Sequence, residues 1–303
     1  MATLETFNTP QRSSTETFIP DGCKYAYHLV LPESAKRVGT PLRVLIWGHG
    51  SIHKNGDYQH IIQESTVDAL ELVPYCERYG IAAIVPILPR KGSTLHNPPL
   101  DAQSLNRATL LNNIDPYYFR PDIDILTAAT DVIKKLQQQG HEITDKLMIG
   151  GVSAGALMAN RLAFLYPELF SAVVMLKAGA FSLPLKEYQH MKLSYPYGAG
   201  DIEQVQGNTY TPDSYAKLPF FIYFGEKDNN FPREELHIGG SLSVEQIKAF
   251  GSTPTERMTF FVNHMKKLGS TFHVEIGAGL AHQLENDTVA NAFQFLDLHT
   301  KKR

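Results

Sequence analysis

The feature of this sequence with the clearest chemical meaning is a serine between glycines. Gly151-Val152-Ser153-Ala154-Gly155 has the pattern Gly-x-Ser-x-Gly, and it separates the apolar run KLMIGG from a segment with helical apolar spacing. A serine at such a strand-to-helix turn needs small neighbours and has its hydroxyl raised clear of the backbone. The first amides of the helix then face any negative charge that develops there. The pattern predicts Ser153 as the nucleophile of an acyl-transfer reaction, although a tight turn without chemistry also has this composition.

A nucleophilic serine depends on a carboxylate that orients its base, and in this motif the acid follows the serine along the chain. Asp228 comes just after the apolar run PFFIYFG, so we predict that it lies past the carboxyl end of a central strand. Glu226 is the alternative, but it stands closer to the strand end, where we expect a turn. Asp228 is therefore the predicted acid.

The predicted base is a histidine beyond the acid. His282 ends the glycine-rich segment GAGLAH, which follows a predicted strand over Thr271 to Ile276 and can return to the top of the sheet. His273 and His264 compete with it, but one lies inside that strand and the other inside a predicted helix. An imidazole accepts the serine proton only when it is neutral, so we expect activity to fall in acid.

A developing oxyanion needs two backbone N–H donors that point at one position. We predict the amide of Ala154 as one donor and the amide of Ser51, in the segment WGHGS, as the other. His49 in the same segment is expected to brace the loop by hydrogen bonding, and it is also a candidate substrate contact. His49 and His53 are four residues apart, but no zinc-binding HExxH pattern accompanies them. The sequence therefore predicts no metal at this loop.

The elements that must position these residues alternate between short apolar runs and helical periods. The apolar runs are typical of strands buried on both faces: LRVLIWG, IAAIVPI, KLMIGG, FSAVVML and PFFIYFG. One helix is predicted to end before Gly140, with an apolar face of Ile123, Leu126, Ala129, Ile133 and Leu136. Others are predicted over Pro254 to Leu268, capped by Thr253, and from near Asp287. This alternation predicts an α/β fold with a mostly parallel central sheet and helices on both faces.

The remaining segments are a hairpin and three insertions. Strands over Thr15 to Ile19 and Lys24 to Leu31 are predicted around a Pro20-Asp21-Gly22 turn. We expect one domain over 1–303, with insertions at 90–121, 179–218 and 229–252 that form lids or pocket walls. Their aromatic residues are candidates either for an apolar substrate pocket or for packing of the loops onto the body: Tyr117, Tyr118, Tyr195, Tyr197 and Phe231.

Composition argues against several classes of function. The formal net charge is −3 without a long basic run, which disfavours a nucleic-acid partner or an anionic membrane surface. No apolar run has membrane-spanning length and the N-terminus lacks an export-signal pattern, so we expect a cytoplasmic protein. The two cysteines, Cys23 and Cys76, are expected to be reduced. A small molecule is the expected partner, while the oligomeric state is not predicted.

These residues resemble the α/β-hydrolase superfamily from about Leu42 onward. The runs GGVSAGALMANRLAFLYPELFSAVVMLKAG, YPYGAGDIE and LPFFIYFGEKDNN resemble esterases related to polyhydroxybutyrate depolymerases and feruloyl esterases. The resemblance implies hydrolysis of carboxylic esters without a cofactor, through a triad of Ser153, Asp228 and His282. Secreted depolymerases of that group generally carry export signals and disulfides, so a small or oligomeric ester is the expected substrate here. A peptidase or amidase with the same triad, and a non-catalytic binding protein on the same fold, are the alternatives.

Overall fold

Nine strands among the described residues form a central sheet that runs from the N-terminal hairpin to the strand before His282. The computed structural model describes residues 6–7, 14–33, 41–51, 58–90, 101–111, 115–207, 209–229, 242 and 244–300. Within these residues the strands are β1 (Thr6–Phe7), β2 (Ser14–Phe18), β3 (Tyr27–Leu31), β4 (Arg43–Gly48), β5 (Ile81–Pro86), β6 (Leu147–Val152), β7 (Phe170–Leu176), β8 (Glu187–Tyr188), β9 (Met191–Lys192), β10 (Phe220–Gly225) and β11 (Phe272–Gly277). The helices are α1 (Tyr58–Tyr79), α2 (Arg107–Leu111), α3 (Pro121–Gln138), α4 (Ala154–Leu165), α5 (Ile202–Gln206), α6 (Pro212–Ala216), α7 (Val244–Lys248), α8 (Pro254–Lys267) and α9 (Thr288–Thr300).

The topology of the sheet brings the predicted site residues together at the carboxyl ends of its parallel strands. Its strand order is β1-β2-β3-β5-β4-β6-β7-β10-β11. In this order, neighbouring strands from β5 to β11 are parallel. The other three pairs are antiparallel: β1 with β2, β2 with β3, and β3 with β5. Parallel strands have their carboxyl ends on the same side of a sheet. Ser51, Ser153, Asp228 and His282 each follow the carboxyl end of one of them.

Side chains of the parallel strands alternate between two apolar layers. In β4, Val44 and Ile46 belong to the layer that contains the buried faces of α3, α4 and α8. Leu45 and Trp47 belong to the opposite layer, under α1 and α9. Each strand is therefore covered on both faces, which explains the nearly continuous apolar runs. The predicted α/β fold, with a mostly parallel sheet between helices, is confirmed.

The predicted hairpin is formed by β2 and β3, which pair antiparallel from Ser14↔Leu31 to Phe18↔Tyr27. Its turn is closed by the amide of Cys23, which donates to the carbonyl of Pro20 over 3.1 Å. Both Cys23 and Cys76 are free thiols, as predicted. None of the helices within the described ranges has both the length and the hydropathy needed to cross a bilayer.

The three predicted helices are present as α3, α8 and α9, and one of them presents a different face from the predicted one. α8 begins as predicted, because the Thr253 hydroxyl accepts from the Glu256 amide in a capping box. α3 also forms, but Ile123 is 46% exposed. The face that enters the core is built on Ile125, Ala128, Ala129, Val132 and Leu136. This second apolar stripe lies beside the predicted one, and its small alanines allow the close approach to the sheet.

The segment 179–218 is packed more tightly than a lid. It contains the β8–β9 hairpin, α5 and α6, and its largest side chains lie in the main apolar cluster, including Leu183, Leu193, Tyr195 and Tyr215, each 0% exposed. Burial of this kind attaches the segment firmly to the body of the protein. The segment 179–218 is therefore part of the packed body of the protein. His53 and Phe231, both named above, lie outside the described residues.

Candidate active site

Ser153 lies at a strained turn between β6 and α4. Its φ of 55° and ψ of −113° form a conformation that residues other than glycine rarely adopt. The Ser153 amide donates to the carbonyl of Leu176 over 2.8 Å, and the Leu157 amide donates to the Ser153 carbonyl over 3.1 Å. Because α4 begins at the next residue, the amide of Ala154 has no acceptor within its own helix. The serine and this amide thus lie together at a helix N-terminus.

Glycines flank the serine because backbone segments touch there. A Cβ on Gly151 would lie 2.5 Å from the carbonyl carbon of Gly155 and 2.7 Å from the carbonyl oxygen of Gly48. Real Cβ atoms do not approach so closely, so a larger residue would push α4 away from the ends of β4 and β6. The small residues predicted from the motif are thus a packing requirement of the turn.

The loops after β10 and β11 are joined by backbone hydrogen bonds. The Lys227 amide donates to the carbonyl of Leu280 over 2.7 Å. Glu226, the alternative acid, accepts from the Gly279 amide at 2.7 Å, so its carboxylate braces this loop. A Cβ on Gly225 would lie 1.9 Å from the carbonyl oxygen of Ala281, so the crossing of the two loops requires glycine there. The joined loops carry Asp228 and His282 to the same place.

Hydrogen bonds connect Asp228, His282 and Ser153 in one chain. Oδ2 of Asp228 lies 2.7 Å from Nδ1 of His282, and Nε2 of His282 lies 3.0 Å from Oγ of Ser153. The Asp228 side chain is only 2% exposed, and that of His282 is 28% exposed. A buried carboxylate that accepts from Nδ1–H leaves Nε2 as the acceptor for the serine hydroxyl. The arrangement can move a proton from the serine to the imidazole.

The competing histidines make other contacts. His273 lies on β11, where its Nε2 is 3.0 Å from Oε1 of Glu275. His264 lies in α8, where its ring contacts those of Tyr188 and Phe260. Of the three histidines considered, the structure brings only His282 into contact with Ser153.

The loop after β4 is held by buried polar groups. His49 is 1% exposed, and its Nδ1 lies 2.7 Å from the carbonyl oxygen of Gly50, while its own carbonyl accepts from Nε2 of Gln103 over 2.5 Å. The Gly50 amide donates to Oδ2 of Asp68 on α1 over 3.1 Å. Burial lowers the pKa of the His49 imidazole and raises the pKa of the Asp68 carboxyl. His49 therefore braces the loop, and its burial argues against the predicted contact with substrate.

Lys177 is a site residue that the sequence analysis did not identify. It follows the carboxyl end of β7 at a φ of 58°, and its amide donates to the carbonyl of Tyr223 on β10. Its Nζ donates to the backbone carbonyl of His282 over 3.4 Å. Burial lowers the pKa of its ammonium, while the charges of Asp228 and then Asp68 oppose that shift. The sequence could have indicated Lys177, because a lysine directly after the apolar run FSAVVML is expected at the carboxyl ends of the strands, where Ser153 also lies.

The aromatic residues predicted for a pocket have mainly structural contacts. Tyr195 is fully buried, and its hydroxyl donates to the carbonyl of Leu105. Tyr197 is 3% exposed. Tyr117 contacts the rings of Tyr118 and Tyr25, at centroid distances of 5.3 and 5.4 Å. For Tyr195 and Tyr197, packing of the insertion onto the body is the correct interpretation.

At the level of sequence, the chain matches neither a protein-family model nor a curated protein. Solved structures resemble it over nearly its whole length. Poly(aspartic acid) hydrolase-1 from Sphingomonas sp. KT-1 superimposes with a TM-score of 0.62 at 17% identity, over 94% of this chain and 98% of that one. A poly(3-hydroxybutyrate) depolymerase from Bordetella parapertussis gives 0.58 at 17% identity, over 96% and 91%. An S-formylglutathione hydrolase from Agrobacterium tumefaciens gives 0.56 at 14% identity, over 99% and 98%.

The sheet of this chain and the turn that carries Ser153 characterise its own fold. The sheet runs parallel from β5 to β11, with an antiparallel extension through β3 to β1. The turn with the Gly-x-Ser-x-Gly pattern follows a central strand of that sheet. The chain has the α/β-hydrolase fold.

Proposed function

We propose that this chain is a serine hydrolase that cleaves carboxylic esters of small or oligomeric substrates through an acyl-enzyme. The observation that carries the proposal is the hydrogen-bond chain from Asp228 through His282 to Ser153, with distances of 2.7 and 3.0 Å. Ser153 is the nucleophile, His282 the general base, and Asp228 the carboxylate that orients it. The structural neighbours include a depolymerase and a hydrolase, which agrees with this class.

Acylation begins when Oγ of Ser153 attacks the ester carbonyl carbon while its proton passes to Nε2 of His282. The negative charge on the carbonyl oxygen is stabilised by the amides of Ala154 and Ser51, which do not need to reorganise as the charge develops. Collapse of the tetrahedral intermediate breaks the bond to the alcohol, and the alcohol leaves with the proton from His282. The acyl group is then bound to Ser153.

Deacylation repeats these steps with water. His282 takes a proton from the water molecule, whose oxygen attacks the acyl carbonyl, and the intermediate releases the carboxylic acid and regenerates the Ser153 hydroxyl. Asp228 stays ionised and steadies the imidazolium formed in both half-reactions. The groups used are side chains and amides of this chain, so the proposed reaction needs no cofactor.

A fluorophosphonate probe with peptide mapping tests the nucleophile. Labelling is expected on Ser153 and is expected to disappear in Ser153→Ala, because the probe reacts only with an activated hydroxyl. Ser252→Ala, at an exposed serine, is the matched control and should label like the wild type. A wild-type protein that folds but does not label would refute the enzymatic function and favour a non-catalytic binding protein.

The oxyanion donors can be tested through the backbone of Ser51. Ser51→Pro removes the amide N–H and is expected to lower kcat by about 100-fold. Ser51→Ala keeps the N–H and should lose far less. Equal losses in the two variants would assign the effect to the side chain and exclude the amide as donor.

Hydrolysis of amides is the second candidate, because one neighbour is named poly(aspartic acid) hydrolase. A set of ester and amide substrates with the same acyl group decides between the two. We expect ester turnover to be faster, and a preference for the matched amide would replace the ester proposal. The same ester series, graded by acyl and alcohol size, identifies the substrate range.

A further inference from the structure

β11 is an open edge of the central sheet. In the part of the chain that the structure describes, no strand lies beyond it. Its register with β10 continues without a shift from Phe220↔Phe272 to Gly225↔Gly277, and its sequence FHVEIG contains no proline. At the opposite edge, the described part of β1 has 2 residues. The unpaired backbone groups of a long, regular edge strand attract another strand. Proteins therefore usually protect a sheet edge with proline, with a bulge or by keeping the edge strand short. β11 has none of these protections.

The hydrogen bonds to β10 determine which residues of β11 face outward. Phe220 donates to the carbonyl of Thr271 over 2.9 Å, and Glu226 donates to the carbonyl of Gly277 over 3.0 Å. In a parallel pair, one residue directs both its N–H and its C=O to the neighbour, and the next residue directs both away. The residues between these two carbonyls therefore alternate, and those with outward N–H and C=O groups are Phe272, Val274 and Ile276.

The side chains of β11 complement those of a second, antiparallel β11. With a two-fold axis at Val274, each Val274 faces its counterpart, and each Phe272 faces an Ile276 of the other copy. Each His273 then faces a Glu275 of the other copy. Within one chain these two groups already lie on one face of the sheet, because Nε2 of His273 is 3.0 Å from Oε1 of Glu275. Cross-strand pairs of opposite charge and of apolar side chains stabilise antiparallel sheets.

Neighbouring registers lack this complementarity. An axis at Glu275 would place two carboxylates opposite each other, and an axis at His273 would place two imidazoles opposite each other. If one strand moved by one residue relative to the other, residues whose N–H and C=O point out of the sheet would lie opposite residues whose N–H and C=O point to β10. The hydrogen bonds between the two copies could then not form. The register centred on Val274 satisfies both the backbone and the charges.

A groove beside this edge would enlarge the contact. It has a volume of about 410 Å³ and lies between β11 and α9, with walls that include His273, Glu275, Phe295 and Leu298. Leu298, in the wall of this groove, is 67% exposed, and Ile276, on the other face of β11, is 53% exposed, so both faces of the pairing edge present apolar surface to solvent. The groove adjoins the pairing edge, so side chains of a second copy would be placed against it. Exposed apolar area next to a pairing edge is typical of protein contacts.

We propose that β11 pairs antiparallel with the β11 of a second copy of this chain, about a two-fold axis at Val274, to form a homodimer with one continuous sheet. Such an interface is isologous, so each residue pair occurs twice. Every favourable or unfavourable charge pair is therefore doubled, and this makes the proposal testable with charge variants.

Two single variants test the register. Glu275→Lys places positive groups against His273 of the other copy, and His273→Glu places carboxylates against Glu275 of the other copy. Each variant alone is expected to dimerise at least about 10-fold more weakly than the wild type. An equimolar mixture should recover dimers, because the introduced lysine of one variant then faces the introduced glutamate of the other, and His273 again faces Glu275. Sedimentation velocity over a series from about 1 to 100 µM measures all four samples.

A wild-type protein that stays monomeric throughout the series overturns the proposal, and the edge would then be open to a strand of another protein. A dimer that both variants leave unchanged overturns it too, as does a mixture that stays monomeric. Pairing within one chain cannot explain recovery on mixing, so the mixed sample separates the dimer from a local effect of the His273–Glu275 contact. Activity of each variant on a reporter ester checks that it folds.

Hydrogen exchange tests the same register without any substitution. The amides of Phe272, Val274 and Ile276 should become protected as the protein concentration rises, because only the second copy supplies their acceptors. The amides of His273 and Glu275 should be protected at every concentration, since they face β10. Concentration-independent exchange at all of these amides would exclude β11 as the interface.

Discussion

Gly155 and Gly48 lie in backbone contact: a Cβ on Gly155 would be 2.0 Å from the carbonyl oxygen of Gly48. Through this contact, the first turn of α4 rests on the end of β4, beside the loop that contains Ser51. The proposed nucleophile and the two proposed oxyanion amides therefore depend on one close approach. A change of either glycine would move them apart.

We expect Gly155→Ala to lower the free energy of unfolding by about 3 kcal/mol, because overpacking in a close contact costs about that much. Ester hydrolysis should fall by at least about 100-fold, since a shift of about 1 Å at a catalytic group has effects of this size. Urea unfolding and kcat measure the two effects.

Gly140→Ala is the control for Gly155→Ala, because nothing lies within 4 Å of a Cβ at Gly140. Its φ of 90° makes alanine strained there, so stability should fall by about 1 kcal/mol while activity is retained. Full activity of Gly155→Ala would contradict the role assigned to the contact.

Asp228→Asn is expected to lower kcat by about 10,000-fold, because an amide cannot hold the imidazole in the required tautomer or stabilise its positive charge. Glu226→Gln is the matched control. Its side chain can still accept from the Gly279 amide, as the carboxylate does over 2.7 Å, so kcat should change little. A larger loss in Glu226→Gln than in Asp228→Asn would transfer the acid role to Glu226.

Lys177→Met is expected to move the acidic limb of the kcat/KM profile to higher pH by about half a unit. The ammonium bonds the carbonyl of His282 and lies in the field of Asp228 and Asp68. Without this cation, the charge of Asp228 beside the imidazole is less balanced, so the neutral form needed for attack appears only at higher pH. Lys177→Arg keeps the charge and should keep the wild-type profile. An identical shift of the acidic limb in Lys177→Met and Lys177→Arg would exclude the electrostatic explanation. A wild-type kcat/KM profile that stays flat down to about pH 4 would exclude an imidazole as the general base.

The protein should lose stability between about pH 6.5 and pH 4 through a histidine far from Ser153. His28 contacts the hydroxyls of Thr17 at 2.8 Å and Ser65 at 2.9 Å, and burial lowers its pKa to about 4. The unfolded chain binds this proton at higher pH than the folded protein, so the stabilisation is complete above about pH 6.5 and is lost as the pH falls towards 4. Burial lowers the pKa of His49 as well, which acts in the same direction.

Urea unfolding at several pH values measures this dependence. A loss of about 3 kcal/mol is expected from His28 alone over the interval. His28→Gln should be less stable at neutral pH and should have a shallower slope below about pH 6.5. An equally steep slope in this variant would assign the effect to other groups.

The sequence by itself was sufficient for the fold and for the three side chains that the structure joins by hydrogen bonds. Strands buried on both faces and amphipathic helices leave local patterns, and their alternation permits little besides a parallel sheet. Parallel strands end on one side, so residues after different strands, such as Ser153 and Asp228, could be assigned to one place without coordinates. The turn at Ser153 could be predicted equally well from its glycines, because such a turn requires small residues.

Only the tertiary structure decided which side chains surround those groups. Asp68 on α1 contacts Gly50, and Lys177 reaches the His282 carbonyl, although neither has a sequence pattern that names its partner. The inward face of α3 and the burial of Tyr195 depended in the same way on surfaces contributed by distant segments. A local sequence pattern shows whether a segment is a helix or a strand. The burial of a side chain instead depends on how closely distant elements pack against it, and that packing is determined by the whole core.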